Sequence, residues 1–268
     1  MQASGIITLL TDFGSSEPYA GVMKGVILQR FPEATLVDLT HEIPPQSLLA
    51  GAFWLGAAYP WFPAGTVHLA VVDPGVGSSR APVALAAHGH YFVGPDNGLF
   101  EFVRRGAETV AVRRLEPERL KAPALSRTFH GRDLFAPAAA LLASGALGFE
   151  ALGPEHELAA SLTLPAVVQR AGAREGEVRL EGAVVAVDRF GNLITNLEPR
   201  RAPAEGRVHV AERVAPCSST YADVAAGELV AYLGSFGQLE VGVRNGSAAR
   251  ELKAGTGTPV YFEGPWSG

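Results

Sequence analysis

Two acidic residues stand where an apolar run stops and the chain must turn. Val67, Leu69, Ala70, Val71 and Val72 form a β-prone run that Asp73 ends. Pro74 then removes a ladder donor, and Gly75 and Gly77 open backbone angles that other residues resist. Earlier, Gly5 to Leu10 reads as a buried strand that also leads to an acid, Asp12, within Thr11-Asp12-Phe13-Gly14. Ligands bind at the carboxyl ends of strands in open α/β sheets, so the two acids are placed to share a crevice. Arg80 follows Asp73 closely enough to curl back and hold its carboxylate ionised. His130 lies in Phe129-His130-Gly131-Arg132-Asp133, on a loop entering a helix, where an imidazole can act as an acid or base. Taken singly, these residues also describe a polar turn with a surface ion pair and a capping or core histidine.

Other short matches lead nowhere. Asp12-Phe13-Gly14 has the letters of the kinase metal-binding turn, but no glycine-rich loop, strand lysine or His-Arg-Asp loop accompanies it. Gly75-Val76-Gly77 opens like a dinucleotide fingerprint, yet Arg80 stands where the third glycine belongs. Asp12, Asp73, Asp96, His130 and Asp133 would have to converge to hold a metal, the chain has no His-x-x-x-His pair, and no metal site is expected. Asp188 to Asn192 is explained as a hairpin turn, Tyr221 and Phe236 read as core aromatics, and Ser235 alone carries no signal.

The elements that position these residues follow from spacing. Tyr19 to Phe31 has helical periodicity and Pro32 forbids its continuation; Thr35 to Leu39 is a strand. Ser47 is placed to cap a helix over Leu48 to Tyr59. Val83 to Ala87 and Tyr91 to Val93 read as strands joined by a tight His88-Gly89-His90 turn, followed by a short helix after Gly98, a strand over Glu108 to Arg114 and an apolar helix over Leu134 to Ala143. The alternation predicts a mostly parallel sheet with helices on both faces, an N-terminal α/β sandwich domain over residues 1–164. After a connection at about 165–176, residues 177–268 read as a smaller all-β, barrel-like domain with no helix.

The 268 residues carry a net charge of -5, and no run of Lys or Arg is long enough to track phosphates, so nucleic acid is not an expected partner. Cys217 is the single cysteine, which excludes an internal disulfide and fits a reducing cytoplasm. No apolar run approaches the length that spans a bilayer, and no membrane partner is expected.

Five stretches in order, Thr-Asp-Phe-Gly at 11–14, Tyr-Ala-Gly-Val-Met-Lys-Gly-Val at 19–26, Val-Asp-Pro-Gly-Val-Gly at 72–77, Phe-His-Gly-Arg-Asp at 129–133 and Asp-Arg-Phe-Gly-Asn at 188–192, resemble the S-adenosyl-L-methionine hydroxide adenosyltransferases. These are relatives of fluorinating and chlorinating enzymes that attack the same carbon with halide. The resemblance implies an N-terminal α/β domain, a C-terminal β-barrel and a homotrimer with active sites between subunits. It makes Asp73, Arg80 and His130 the water-activating triad, Asp12 the clamp on the ribose hydroxyls, Asp188 a partner of the methionine ammonium and Asn192 a partner of adenine, with Phe190 and Tyr221 facing the adenine ring. Tyr19 and Ser235 complete the implied substrate-binding set. The halogenases carry tyrosines where this chain has Asp73 and His130, which points away from halide. The halogenases' Ser-Arg clamp on the methionine carboxylate is Ser235-Phe236 here.

The activity so implied is hydrolysis of S-adenosyl-L-methionine to adenosine and L-methionine in the cytoplasm. Neither metal nor cofactor is expected, because the sulfonium already activates C5′. The alternatives are a non-catalytic adenosine or S-adenosylmethionine binding protein and a halogenase.

Overall fold

A strand covered on both faces has no polar side to show, and the run from Val67 meets that condition: all its residues are buried in strand β3. The computed structural model describes residues 1–121, 125–159, 161–201, 203 and 205–266. The chain divides into two compact units, Met1–Leu162 and Thr163–Gly268.

The elements of the first unit run β1 (Ile6–Thr11), α1 (Tyr19–Arg30), β2 (Thr35–Thr40), α2 (Leu48–Ala58), β3 (Val67–Val71), β4 (Pro82–Ala87), β5 (His90–Pro95), α3 (Glu101–Arg104), β6 (Ala111–Arg114) and α4 (Ala136–Ala143). Among the described residues the strands make a six-stranded sheet in the order β2-β1-β3-β5-β4-β6. The pairs β1–β2, β1–β3 and β3–β5 are parallel, and β4 is antiparallel to both β5 and β6. Thr11 is in register with Val71, so β1 and β3 leave the sheet side by side at the same edge. That juxtaposition brings Asp12 and Asp73 to one place. Met23, Ile27 and the alanines of α4 pack on one face with Leu9 and Leu69, while Leu55 of α2 packs on the other with Leu10, Val72 and Phe92.

Three local expectations need adjustment. Ser47 occupies the N-cap position of α2 without a side-chain capping bond. The helix expected from Leu134 begins with a π-type turn over Gly131–Phe135, and regular α-geometry starts at Ala136. The last strand starts at Ala111 rather than Glu108. The His88-Gly89 turn is tight as expected, with φ of 51° and 78° at its two residues.

One buried polar chain lies within the sheet. His68 on β3 is fully buried, its Nδ1 2.8 Å from Thr8 Oγ1 and its Nε2 3.1 Å from His90 Nδ1, and its ring stacks on Phe92 at 5.0 Å.

In the second unit, β7 (Val168–Ala171), β8 (Val178–Val187), β9 (Leu193–Thr195), β10 (Arg207–Val210), β11 (Arg213–Pro216), β12 (Leu229–Leu233), β13 (Leu239–Val243) and β14 (Pro259–Gly264) form one sheet. Its ladders are antiparallel, in the order β11-β10-β14-β8-β9-β13-β12 with β7 beside β8. The Ser218 amide donates to the Ala231 carbonyl at 2.8 Å, and Cys217 bridges to Ala231, which nearly closes the sheet into a barrel. Residues within the stretch read as a connection thus form an edge strand, β7. A helix also occurs where none was expected: α5 (Ala248–Leu252) is started by Ser247, whose hydroxyl accepts from Arg250 N, and stopped by Lys253 at φ 49°. Five residues are too few to display a helical period in sequence.

Candidate active site

Asp73 leaves β3 through a turn whose geometry depends on glycine. Gly77 has φ 80°, and a Cβ there would lie 2.6 Å from the Arg127 carbonyl oxygen, so the turn and the loop before His130 approach as closely as backbone allows. Val76 N donates to Asp73 O, and Ser78 N to Gly75 O. The turn returns Arg80 to Asp73: Nε donates to Oδ1 at 2.9 Å and Nη2 to Oδ2. The side chains are 8% and 5% exposed, so this is a buried bidentate pair and not a surface one.

Nη2 of Arg80 also donates to Nδ1 of His130 at 2.8 Å. A guanidinium has no acceptor, so Nδ1 must carry the lone pair, and the proton of the neutral ring sits on Nε2. Burial holds the ring below the usual imidazole range, with the Arg80 charge adding to that; the Asp73 and Asp133 charges and a hydrogen bond to the Ser126 backbone work the other way. The loop carrying His130 is tied by Asp133, which accepts from Ser126 N at 2.8 Å and pairs with Arg132.

Asp12 leaves β1 beside this set, and its Oδ2 accepts from Gln46 N at 2.8 Å. A cavity of about 540 Å³ is lined by Asp12, Tyr19, Gln46, Asp73, Phe129 and His130, among others. Phe13, Tyr19 and Phe129 form an edge-to-face trio with centroids 5.4 to 6.0 Å apart. Gln46, Phe13 and Phe129 escaped the sequence reading as lining residues. Gln46 has φ 64°, a conformation rare for a residue with a side chain.

The remaining candidate residues lie in the second unit. Asp188 and Asn192 close the β8–β9 hairpin: Asn192 N donates to Asp188 Oδ1 at 2.8 Å and its Nδ2 to Oδ2 at 2.7 Å. Phe190 stands at the tip, 76% exposed. Tyr221 bonds through its hydroxyl to that of Tyr232. Tyr221 and Phe236 are 37% and 40% exposed, which corrects their reading as core aromatics: both lie on connections between strands, where the barrel wall does not cover them. Ser235 is exposed in the turn between β12 and β13.

Of the acids weighed as metal ligands, Asp96 and Asp133 are engaged with other partners. Asp96 turns to His156 at 3.0 Å and to Ala159 N, Asp133 is committed to Arg132 and Ser126, and among the described residues no group of three or more His, Cys, Asp or Glu is placed to hold a metal ion. Among the described residues no helix is long and apolar enough to cross a membrane.

A mixed α/β sheet unit with a carboxylate, guanidinium and imidazole set beside a cavity at its strand ends, joined in sequence to an antiparallel barrel-like unit, defines a two-part α/β and β protein. Residues 7–153 match the family model of the SAM hydroxide adenosyltransferase N-terminal domain, and residues 182–261 that of its C-terminal domain. The chain belongs to the SAM hydroxide adenosyltransferase family. It is 45% identical over 95% of its length to the (R)-S-adenosyl-L-methionine hydrolase of Thermus thermophilus, covering 98% of that protein, and 39% identical over 91% to the one of Salinispora tropica, covering 92%. Fluorinases are more distant, at 26% identity for that of Nocardia brasiliensis over 95% of this chain and 96% of that one. The crystal structure of an uncharacterized conserved protein from Thermotoga maritima superposes with a TM-score of 0.84 at 34% identity, covering 96% of this chain and 99% of that one.

Proposed function

We infer that the protein hydrolyses S-adenosyl-L-methionine to adenosine and L-methionine by in-line attack of water on C5′. The observation that carries this reading is that Asp73 and His130, joined through Arg80, line a cavity with Asp12, in a chain whose relatives are named for that hydrolysis. The water oxygen bonds to C5′ as the C5′–S bond breaks, and its electron pair goes to sulfur. Methionine therefore leaves as a neutral thioether, and the reaction calls for no acid on the leaving group, no metal and no cofactor. What it calls for is a water held in line and relieved of a proton; positioning of this kind is worth about 7–11 kcal/mol in favourable cases.

Asp73 takes the proton in this reading. Each of its oxygens accepts one bond from Arg80 and keeps a second lone-pair direction for water. His130, whose Nδ1 lone pair is already occupied by Arg80, orients the set and is not the base. Asp12 and Tyr19 hold the nucleoside from the first unit, and Asp188, Phe190, Asn192, Tyr221 and Ser235 are the substrate contacts of the second.

The test uses heavy-oxygen water with chloride and a chelator present, followed by mass analysis of the nucleoside. Label in the 5′-hydroxyl of adenosine and none in methionine is the expected result. A 5′-chloro nucleoside would establish a halogenase, intact substrate a binding protein, and chelator-sensitive turnover a metal requirement.

The assembly in this reading is a homotrimer, with Asp12, Asp73 and His130 of one subunit completed by Asp188 and Asn192 of the next. Light scattering should return three times the 28.1 kDa chain mass, and a fully active monomer would sink the shared site. Burial pushes the Cys217 thiol up to about 12, so it is an inert packing group, compatible with a cytoplasmic protein.

A further inference from the structure

The arch that carries Asp12 is gripped from the neighbouring strand by a residue that the hydrolysis does not use. Strands β1 and β2 run parallel with Leu9 opposite Asp38, but the next pair is Leu10 and Thr40, so β2 carries one extra residue near its carboxyl end. A bulge of this kind re-aims the side chains beyond it, and here it brings His41, rather than Thr40, level with Thr11.

His41 meets the arch on both sides of Asp12. Its Nδ1 lies 2.9 Å from the hydroxyl of Thr11, the residue before Asp12, and its carbonyl accepts at 2.8 Å from the amide of Gly14, two residues after it. Thr11 Oγ1 also accepts from Phe13 N at 3.2 Å, so the hydroxyl that His41 holds is the one that closes the turn around Asp12. The imidazole is 10% exposed, and its Nε2 stands 3.1 Å from Asp38 Oδ1. Asp38 is tied in turn to Lys24 of α1 at 2.6 Å. The ring is therefore a strut between the ends of two strands.

A carboxylate that holds two neighbouring hydroxyls must turn both oxygens to them, and a displacement of about 0.5 Å or a rotation of about 10–20° spoils the fit. The Asp12 carboxylate has one anchor of its own, Gln46 N on Oδ2, which leaves Oδ1 free to swing about that bond. The rest of its aim has to come from the backbone beneath it, and that is the backbone His41 holds. His41 does not itself line the cavity, so its influence on a ligand has to pass through Asp12.

We propose that His41 is a positioning residue for substrate binding: by pinning the arch on both sides of Asp12 it sets the aim of the carboxylate at the ribose hydroxyls. This rests on the reading of Asp12 as the clamp on those hydroxyls. The effect belongs to KM, because the Asp73, Arg80 and His130 set stands on other elements and turns over whatever binds.

The experiment measures binding of adenosine and of 2′,3′-dideoxyadenosine by calorimetry, together with kcat and KM for S-adenosylmethionine. The proteins are the wild type, His41→Ala, His41→Asn, Asp12→Ala and the double variant of His41→Ala with Asp12→Ala. The wild type should prefer adenosine by about tenfold or more, and Asp12→Ala should lose that preference. His41→Ala should lose most of it as well, with KM raised about tenfold and kcat changed only a few-fold. His41→Asn, whose amide returns a polar atom to the neighbourhood of Nδ1, should recover most of the preference. In the Asp12→Ala background His41→Ala should add little, because a residue that acts through Asp12 then has nothing to aim. Thr11→Val removes the same bond from its other end and carries the same expectation if His41→Ala does not fold. A preference that survives removal of the His41–Thr11 bond, a loss borne by kcat with KM unmoved, or full additivity with Asp12→Ala would overturn this proposal alone. Equal wild-type affinities for the two nucleosides, absence of binding of either, or a preference that survives Asp12→Ala would overturn the clamp reading and this proposal with it.

Discussion

Asp73→Asn is expected to lower kcat by about 10²–10⁴-fold, the range associated with losing a positioned general base, while KM for S-adenosylmethionine moves only a few-fold. The substitution keeps the shape of the side chain and one acceptor oxygen for Arg80, but an amide nitrogen replaces the oxygen that Nη2 now meets. It removes the negative charge that accepts the water proton, and that acceptance develops only in the transition state, so the effect belongs to kcat. The same change leaves a buried guanidinium short of its counter-charge, which costs about 3–5 kcal/mol of stability for a pair this enclosed. Rates therefore have to be taken well below the variant's own unfolding midpoint. Asp12→Ala provides the contrast, since Asp12 is assigned to binding and its loss should raise KM more than it lowers kcat. Wild-type turnover by Asp73→Asn would refute the assignment of the base to Asp73.

The second large effect lies within the sheet and concerns acid. Burial and the neighbouring His90 lower the pKa of His68 to about 3, far below the usual 6.5. The depressed folded value means that the unfolded chain binds a proton below about pH 6.5 that the folded chain refuses, so the native state loses stability as pH falls. The loss begins at 6.5, continues to about 3 and then stops, because both states are protonated below that. At pH 5 it amounts to about 2 kcal/mol from this one group. The ring cannot relieve the cost locally, since its two nitrogens face Thr8 Oγ1 and His90 Nδ1 and its face is stacked on Phe92. Urea titrations at pH 7 and pH 5 should give a marked fall for the wild type. The fall should be about 2 kcal/mol smaller for His68→Gln, which cannot take up the proton. An equal fall in the two proteins would mean that His68 is not the group that titrates. Its selection as such a group was not available from the strand pattern, where it was only one polar residue in an apolar run.

The strand ends at Asp12 and Asp73 were legible because their signals are local. A doubly buried parallel strand is apolar along most of its length, and Pro74 with Gly75 and Gly77 ends it. The crossovers through α1 and α2 made the strands parallel, but that β1 lies between β2 and β3 was decided by the fold. The Asp188 hairpin was legible on the same terms, and its turn and its candidate binding residues proved to be the same atoms: Asn192 both closes the turn and ties Asp188. Only tertiary structure decided which side chains meet. Arg80 reaches back to Asp73 along the chain, as turn geometry suggested, but its contact with a histidine 50 residues away, and hence the tautomer of His130, belongs to the packing of the loop held by Asp133. Gln46 on Asp12, His68 on Thr8 and Glu240 beneath Tyr232 likewise follow from elements that converge in space without any shared periodicity. The physical reason is one of range: backbone preference is written by adjacent residues and can be read from them, whereas a hydrogen-bond partner is supplied by whatever the rest of the fold brings within about 3 Å.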